Sequence, residues 1–460
     1  MEQLIVVSSD SHAGVPKELW PEYLDPKFHE LLPQLKQDNE TYPTAIFLLG
    51  AKSGSTNSVP EVAEAHTSGW HGLHDAVLRL TDMDREGIAA ELIYHGDFRL
   101  GDLFHNNTNR AWAVEAWDAG ARAWNHWCAD NFGFARDRFL VVAAMGPCVD
   151  MDVAIADLQW NAEHGFAGTY APGYMRTPDF PPLYDPVWDR YWSACEETGL
   201  PIVVHAGYGW EQGHAFPELE NIVKTVAAAA GSTERDALFA HADAVLPSSQ
   251  AFFTAFSNSL HQRRPLWQLA FGGVFDRHPN LKLLLTEIRA DWIPATLAHL
   301  DDIYEQVRDR VPATRKPSEY WASNCMAGAS FIHKAEVEIR HEIGIENIAF
   351  GRDYPHPEGT WPNTKDWLHD AFAGVPEDEL RLMLGENMIR FFGLDRDRLS
   401  ELARRIGPTY ADLTSRPEVR PDLIDSFAAR GGYLKPVEGD GRLESVVEMV
   451  EEDLAGVAGA

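Results

Sequence analysis

Asp10 and His12 stand one residue apart after the apolar run Leu4-Ile5-Val6-Val7, and His205 ends a second such run, Ile202-Val203-Val204. Asp353 follows a third, Ile348-Ala349-Phe350, inside Gly351-Arg352-Asp353-Tyr354-Pro355-His356-Pro357-Glu358-Gly359. Residues two apart in an extended chain point the same way, so Asp10 and His12 could bind one ion together. A carboxylate opening a Pro- and Gly-rich turn can face a pocket instead of entering a helix. Two imidazoles and two carboxylates suit Zn²⁺, Mn²⁺ or Fe²⁺ better than a soft metal. Most of the 19 histidines are expected at the surface or in satisfied core positions. The meeting of four ligand-type residues at three strand ends is what points to a metal centre.

Elements that would position these residues are readable from hydrophobic pattern. Helical spacing fits residues 72–87, 107–129, 150–163, 185–198, 293–308, 332–342, 363–373 and 376–391, with further helices between about 217 and 275. Between them lie short apolar runs at 88–94, 139–144, 168–170, 202–204, 281–287, near 321–325 and 348–351. Strands apolar on both faces, alternating with helices, predict an α/β fold, a TIM-like (β/α)8 barrel, with ligands at one end. The first strand lacks the glycine fingerprint of a dinucleotide fold. Residues 14–66, broken by Pro16, Pro21, Pro26, Pro33 and Pro43, are expected to form an insertion over the strand ends. Its glycine-rich stretch Leu48–Ser55 lacks the spacing of a phosphate loop. The expected barrel domain is 1–398, followed by a C-terminal helical extension, 399–460.

Composition narrows the function. The chain has 460 residues and a formal net charge of -31, from 39 basic and 70 acidic residues. That field repels a phosphate backbone, so nucleic acid is not an expected partner. Only four cysteines occur, with no CxxC spacing, which suits a reducing compartment. No basic leader and no stretch of about 18 apolar residues is visible, so the expectation is a soluble cytoplasmic protein without membrane partners. The 15 tryptophans fall mostly in helical or turn patterns and read as core.

The strand ends Ser9-Asp10-Ser11-His12, Val204-His205-Ala206-Gly207, Leu285-Thr286-Glu287 and Gly351-Arg352-Asp353-Tyr354-Pro355-His356 resemble, as an ordered set, the second amidohydrolase family. The similarity spans roughly residues 4–394. That family groups metal-dependent TIM-barrel hydrolases with decarboxylases of aminocarboxymuconate semialdehyde, resorcylate and carboxyvanillate. The resemblance implies metal ligands Asp10, His12, His205 and Asp353. The family's usual opening is His-x-His, and Asp10 places this chain among acidic-x-His variants.

A departure bears on mechanism. The decarboxylases commonly carry a catalytic His where this chain has Glu287, so an imidazole proton donor does not transfer unchanged. Glu287 could instead orient or deprotonate a water, or protonate a leaving group; the plainer alternative is a supporting contact or an ion pair with Arg289. Asp353 is expected as ligand and base, and His356 as a partner of a substrate oxygen or of a ligating carboxylate. Arg289, His95, Asn107 and Trp361 are candidate substrate contacts, Arg289 because its fork matches a carboxylate. Arg176 fits a surface ion pair better, and His66, His71 and His74 fit surface or lid positions.

The expected function is a metal-dependent hydrolase of a small organic carbonyl substrate. Alternatives are non-oxidative decarboxylation of an aromatic or unsaturated acid, and a metal-stabilised binding protein without turnover. A small-molecule substrate, one ion and an ordinary symmetric homodimer complete the expectation.

Overall fold

The computed structural model describes residues 3–40, 59–65, 69–96, 100–106, 112–176, 179–211, 216–234, 237–238, 260–356, 358–415, 419–430 and 443–457. Eight parallel strands follow one another in chain order: β1 (Val7–Ser8), β2 (Ala90–Ile93), β3 (Phe139–Ala143), β4 (Gly168–Tyr170), β5 (Ile202–Val204), β6 (Leu283–Thr286), β7 (Cys325–Ser330) and β8 (Ile348–Gly351). Parallel neighbours need a crossover, and helices supply it. The seam closes where Ser9 N–H donates to the Phe350 carbonyl at 2.8 Å and Asp353 N–H to the Asp10 carbonyl at 3.1 Å. This is the α/β barrel that the strand pattern predicts.

Every residue of β2, β3 and β6 is buried, which is why these runs are largely apolar, with Thr286 closing β6. Glu91 is the exception within β2. Helix α1 (Ala76–Glu86) begins where the Asp75 carboxylate accepts from the amides of Val77 and Leu78, and it ends at Gly87 with φ +80°. Helix α2 (Val114–Phe132) buries Trp117, Trp124 and Trp127 against the barrel. Helix α3 (Met151–Glu163) is capped by Asp150 in the same manner as α1.

One strand lies elsewhere than expected. Residues 321–324 belong to a helix, Pro317–Asn324, and the strand begins at Cys325. Its sequence, Cys-Met-Ala-Gly-Ala-Ser, carries no β-branched residue, so it does not look like a strand. Packing explains the small residues: a Cβ on Gly328 would lie 2.4 Å from Thr286 Oγ1 and 2.9 Å from Ser9 Oγ. The expected helix 332–342 is also split, into Lys334–Glu338 and Arg340–Ile343.

The stretch after β1 contains short helical turns at Trp20–Tyr23 and Pro26–Leu31, with Trp20 fully buried. Residues 48–55, the glycine-rich stretch, lie outside the described residues. Helix α4 (Arg264–Phe271) packs against the helix Pro317–Asn324, and α5 (Arg396–Ile406) runs through residue 398 without a break. The last helix, α6 (Leu443–Val457), docks on α4 through the carboxylates of Asp453 and Glu452. Asp453 accepts from Arg264 twice at 2.8 Å, from Trp267 Nε1 at 2.8 Å and from Gln268 Nε2 at 2.9 Å. Among the described residues, no helix is long and apolar enough to cross a membrane.

Candidate metal centre

Parallel strands all finish at the same end of the barrel, so the segments following β1, β5, β6 and β8 converge there. Asp10 and His12 follow β1, His205 follows β5, Glu287 follows β6 and Asp353 follows β8. All five are buried. His12 Nε2 lies 3.6 Å from Asp10 Oδ1 and 3.2 Å from Asp353 Oδ1. His205 Nε2 lies 3.4 Å from Asp10 Oδ1 and 3.1 Å from Glu287 Oε2.

Hydrogen bonds at the rear of each group aim it. The His95 carbonyl accepts from His12 Nδ1 at 3.0 Å, and the Ala206 carbonyl accepts from His205 Nδ1 at 3.1 Å. A carbonyl cannot donate, so each neutral ring carries its proton on Nδ1 and presents a bare Nε2. Ser330 donates to Asp10 Oδ2, leaving Oδ1 inward. His12 Nε2, His205 Nε2, Asp10 Oδ1 and both oxygens of Asp353 are buried without a hydrogen-bond partner. Lone pairs turned on one another at such range are unfavourable without a cation between them. For bonds near 2.1 Å, tetrahedral ligands are separated by about 3.4 Å, which the spacings His12–Asp10, His12–Asp353 and His205–Asp10 match; ligand atoms of Asp10, His12, His205 and Glu287 form one group within 4.8 Å, and Asp353 groups with His12 and His356. The residues fit a divalent ion.

Behind these residues lies a charge network that the sequence reading missed. Glu91 accepts from Arg79 Nε and from Arg352 Nε, each at 2.6 Å, with all three side chains buried. Arg79 also donates to the His12 carbonyl at 2.6 Å and to Ser11 Oγ at 2.6 Å. Burial opposes ionisation of Glu91, but Arg352 and Arg79 hold its carboxyl below the ordinary range. A charged residue inside the apolar run Ala89–Ile93 was the available signal, because buried charge demands a partner.

Glu287 and Asp353 both adopt left-handed backbone, with φ +56° and +53°. Such conformations in non-glycine residues cost on the order of 1–3 kcal/mol and concentrate at functional sites. Burial pushes the Glu287 carboxyl well above its usual range, and the charges of Asp353, Asp10 and Glu358 add to this. Burial likewise takes His12 well below its usual value, with His356 adding repulsion.

The remaining expected site residues divide. His356 stacks on His12 with centroids 3.9 Å apart, its Nδ1 is 3.1 Å from Asp353 Oδ1, and its Nε2 donates to the Gly96 carbonyl at 3.0 Å. His95 is buried and lies against Tyr170, with ring centroids 4.4 Å apart. Arg289 is paired through its guanidinium with Asp291. Trp361 is buried, edge-on to Tyr354 with ring centroids 5.2 Å apart. Asn107 and His66 lie outside the described residues. His71 is exposed and His74 partly so, their centroids 6.1 Å apart.

Comparison with known proteins follows this geometry. A family model described as amidohydrolase matches residues 11–394. An amidohydrolase structure from Mycobacterium avium subsp. paratuberculosis K-10 aligns with a TM-score of 0.58 at 17% identity, covering 85% of this chain and 99% of that one. The 5-carboxyvanillate decarboxylase of Sphingomonas paucimobilis aligns at 0.53 with 18% identity, covering 85% and 100%. A dihydroxybenzoic acid decarboxylase from Polaromonas sp. JS666, solved with manganese and 2-nitroresorcinol, aligns at 0.52 with 17% identity, covering 87% and 99%. At these identities the structural likeness speaks for the fold.

Proposed function

The chain belongs to the amidohydrolase family, metal-dependent enzymes of hydrolase or decarboxylase type, and we propose that it hydrolyses a small organic carbonyl compound at the barrel mouth. In this reading Asp10, His12, His205 and Asp353 hold one divalent ion. Manganese or zinc suits the mixed oxygen and nitrogen set, with iron as a further option. Manganese is also the metal of the Polaromonas structure. Such an ion supplies Lewis acidity and lowers the pKa of water beside it.

Proton handling falls to two carboxylates. Asp353 has both oxygens without hydrogen-bond partners, so one can ligate while the other accepts the proton of an attacking water. Glu287 is the second group, and its position is the observation that carries the proposal. Its Oε2 is 3.1 Å from His205 Nε2, inside the ligand set, while burial and neighbouring carboxylates favour its protonated form. A carboxyl kept protonated at such a place can deliver that proton to a leaving group. His356 stacks on His12, and its Nδ1 lies 3.1 Å from Asp353 Oδ1 on the loop side.

A second reading is decarboxylation of an aromatic acid. Tyr94 lies 4.9 Å from the His205 ring, and Tyr170, Tyr174 and His95 continue an aromatic wall behind it. Flat substrates stack on such walls, and two of the structural neighbours carry decarboxylase names. Glu287 would then protonate the ring carbon that loses CO₂. The protein with Mn²⁺, presented with aromatic acids and with esters, amides and lactones, separates these readings. Hydrolysis incorporates ¹⁸O from labelled water into the product, and decarboxylation releases CO₂ without it. Four buried, unpaired cysteines support a reducing, cytoplasmic setting.

A further inference from the structure

A second set of ligand-type residues lies beside the first. His95 follows β2 directly, and the turn Phe104–Asn106 carries His105. Ligand atoms of His95, Asp102 and His105 lie within 4.8 Å of one another. The two imidazole rings meet edge-on with centroids 4.7 Å apart. Both histidines are at least 97% buried, their exposures being 3% and 2%. His95 Nδ1 and both ring nitrogens of His105 have no hydrogen-bond partner. Buried polar groups are nearly always bonded, and three unbonded imidazole nitrogens around one carboxylate point to a missing partner.

The surroundings are built to hold this arrangement. Asn39 clamps the backbone of Asp102, accepting from its amide at 2.9 Å and donating to its carbonyl at 2.9 Å. The clamp comes from the segment inserted after β1, which thereby acquires a structural task. On the opposite side α2 presents Gly120 to the turn. A Cβ there would lie 2.9 Å from Phe104 N, 3.0 Å from His105 N and 3.3 Å from His105 Nδ1. Only a glycine lets the turn press this closely onto the helix.

We infer that His95, Asp102 and His105 form a second site for a divalent first-row cation, distinct from the set at Asp10, His12, His205 and Asp353. Two imidazoles and one carboxylate match Zn²⁺, Mn²⁺ or Fe²⁺ and leave a coordination position for an oxygen donor. His95 belongs to both centres: its carbonyl accepts from His12 Nδ1, and its ring ligates the second ion. The inference does not rest on the proposed reaction.

The test uses the full chain, stripped with a chelator and titrated with Zn²⁺ or Mn²⁺ alone, with bound metal counted after gel filtration. The wild type is expected to retain two equivalents. His105→Gln and Asp102→Asn should each retain one, while Asp353→Asn loses the other. Second-site variants that both retain as many equivalents as the wild type overturn the inference. Should a variant fail to fold, anomalous diffraction at the zinc edge from zinc-loaded wild-type crystals decides. A peak between His95 and His105 is expected, and its absence is equally decisive. Loss of activity in Asp353→Asn with the second peak intact separates failure of this inference from failure of the proposed chemistry.

Discussion

Arg79, projecting from helix α1, donates to the backbone carbonyl of His12 at 2.6 Å, so a helix outside the barrel fixes the chain that carries a proposed metal ligand. The same guanidinium is tied to Glu91 inside β2, and Glu91 in turn to Arg352, the residue before Asp353. The segments after β1 and β8 are therefore held by one buried charge network.

Removing one member of that network should be severe. Arg79→Ala leaves Glu91 with a single guanidinium and is expected to lower stability by about 3–5 kcal/mol, as for other broken buried pairs. Urea denaturation of the metal-free protein measures it. A shift below ~1 kcal/mol, the scale of a surface ion pair, would show that the network is dispensable.

Ion binding should stabilise the fold by mass action. At free Mn²⁺ one hundred times its dissociation constant, the gain is about 2.7 kcal/mol for one site. Asp353→Asn should abolish the increment from the first centre and raise the melting temperature of the stripped protein, because fewer like charges remain opposed. Thermal scans of both proteins, with and without Mn²⁺, give the comparison. An identical metal response in the variant counts against Asp353 as a ligand.

Glu287→Gln should keep the ion and lose the reaction. Positioned acids and bases contribute roughly 10²–10⁴-fold, and kcat should fall within that range while metal content stays unchanged. A variant with normal kcat and a raised KM would move Glu287 from proton transfer to substrate binding.

Glu336 provides a pH signature away from the ligands. It accepts from the amides of Ala290 and His333, and burial, with repulsion from Asp291, pushes its carboxyl up to about 7. Between the usual 4.5 and about 7, the folded protein keeps a proton that the unfolded chain releases. Stability from this group is complete below that window and is lost as pH rises through it. Glu336→Gln should flatten that slope in denaturation measured from pH 4.5 to 8. Parallel curves for the two proteins would rule the assignment out.

The four proposed ligands and Glu287 could be read in advance because each ends a short apolar run, and parallel strands bring such ends together. What escaped reading depends on contacts between distant segments. Arg79 sits in an ordinary amphipathic pattern, and nothing local distinguishes it from a surface arginine. The strand Cys325–Ser330 was hidden because its small residues answer to Thr286 and Ser9 across the barrel. His105 looks like any turn histidine until Gly120 and Asn39 press its loop beside His95.

The seam between β1 and β8 has a consequence for how the protein is made. Asp10 and His12 leave the ribosome long before Asp353, yet the three meet only after the last strand hydrogen-bonds to the first. A chain that lacks its eighth strand carries the proposed ligands Asp10, His12 and His205 without Asp353, so on this reading the set is complete only in finished chains. Any chain interrupted before the eighth strand would emerge with its first ligands exposed and nothing to close around them.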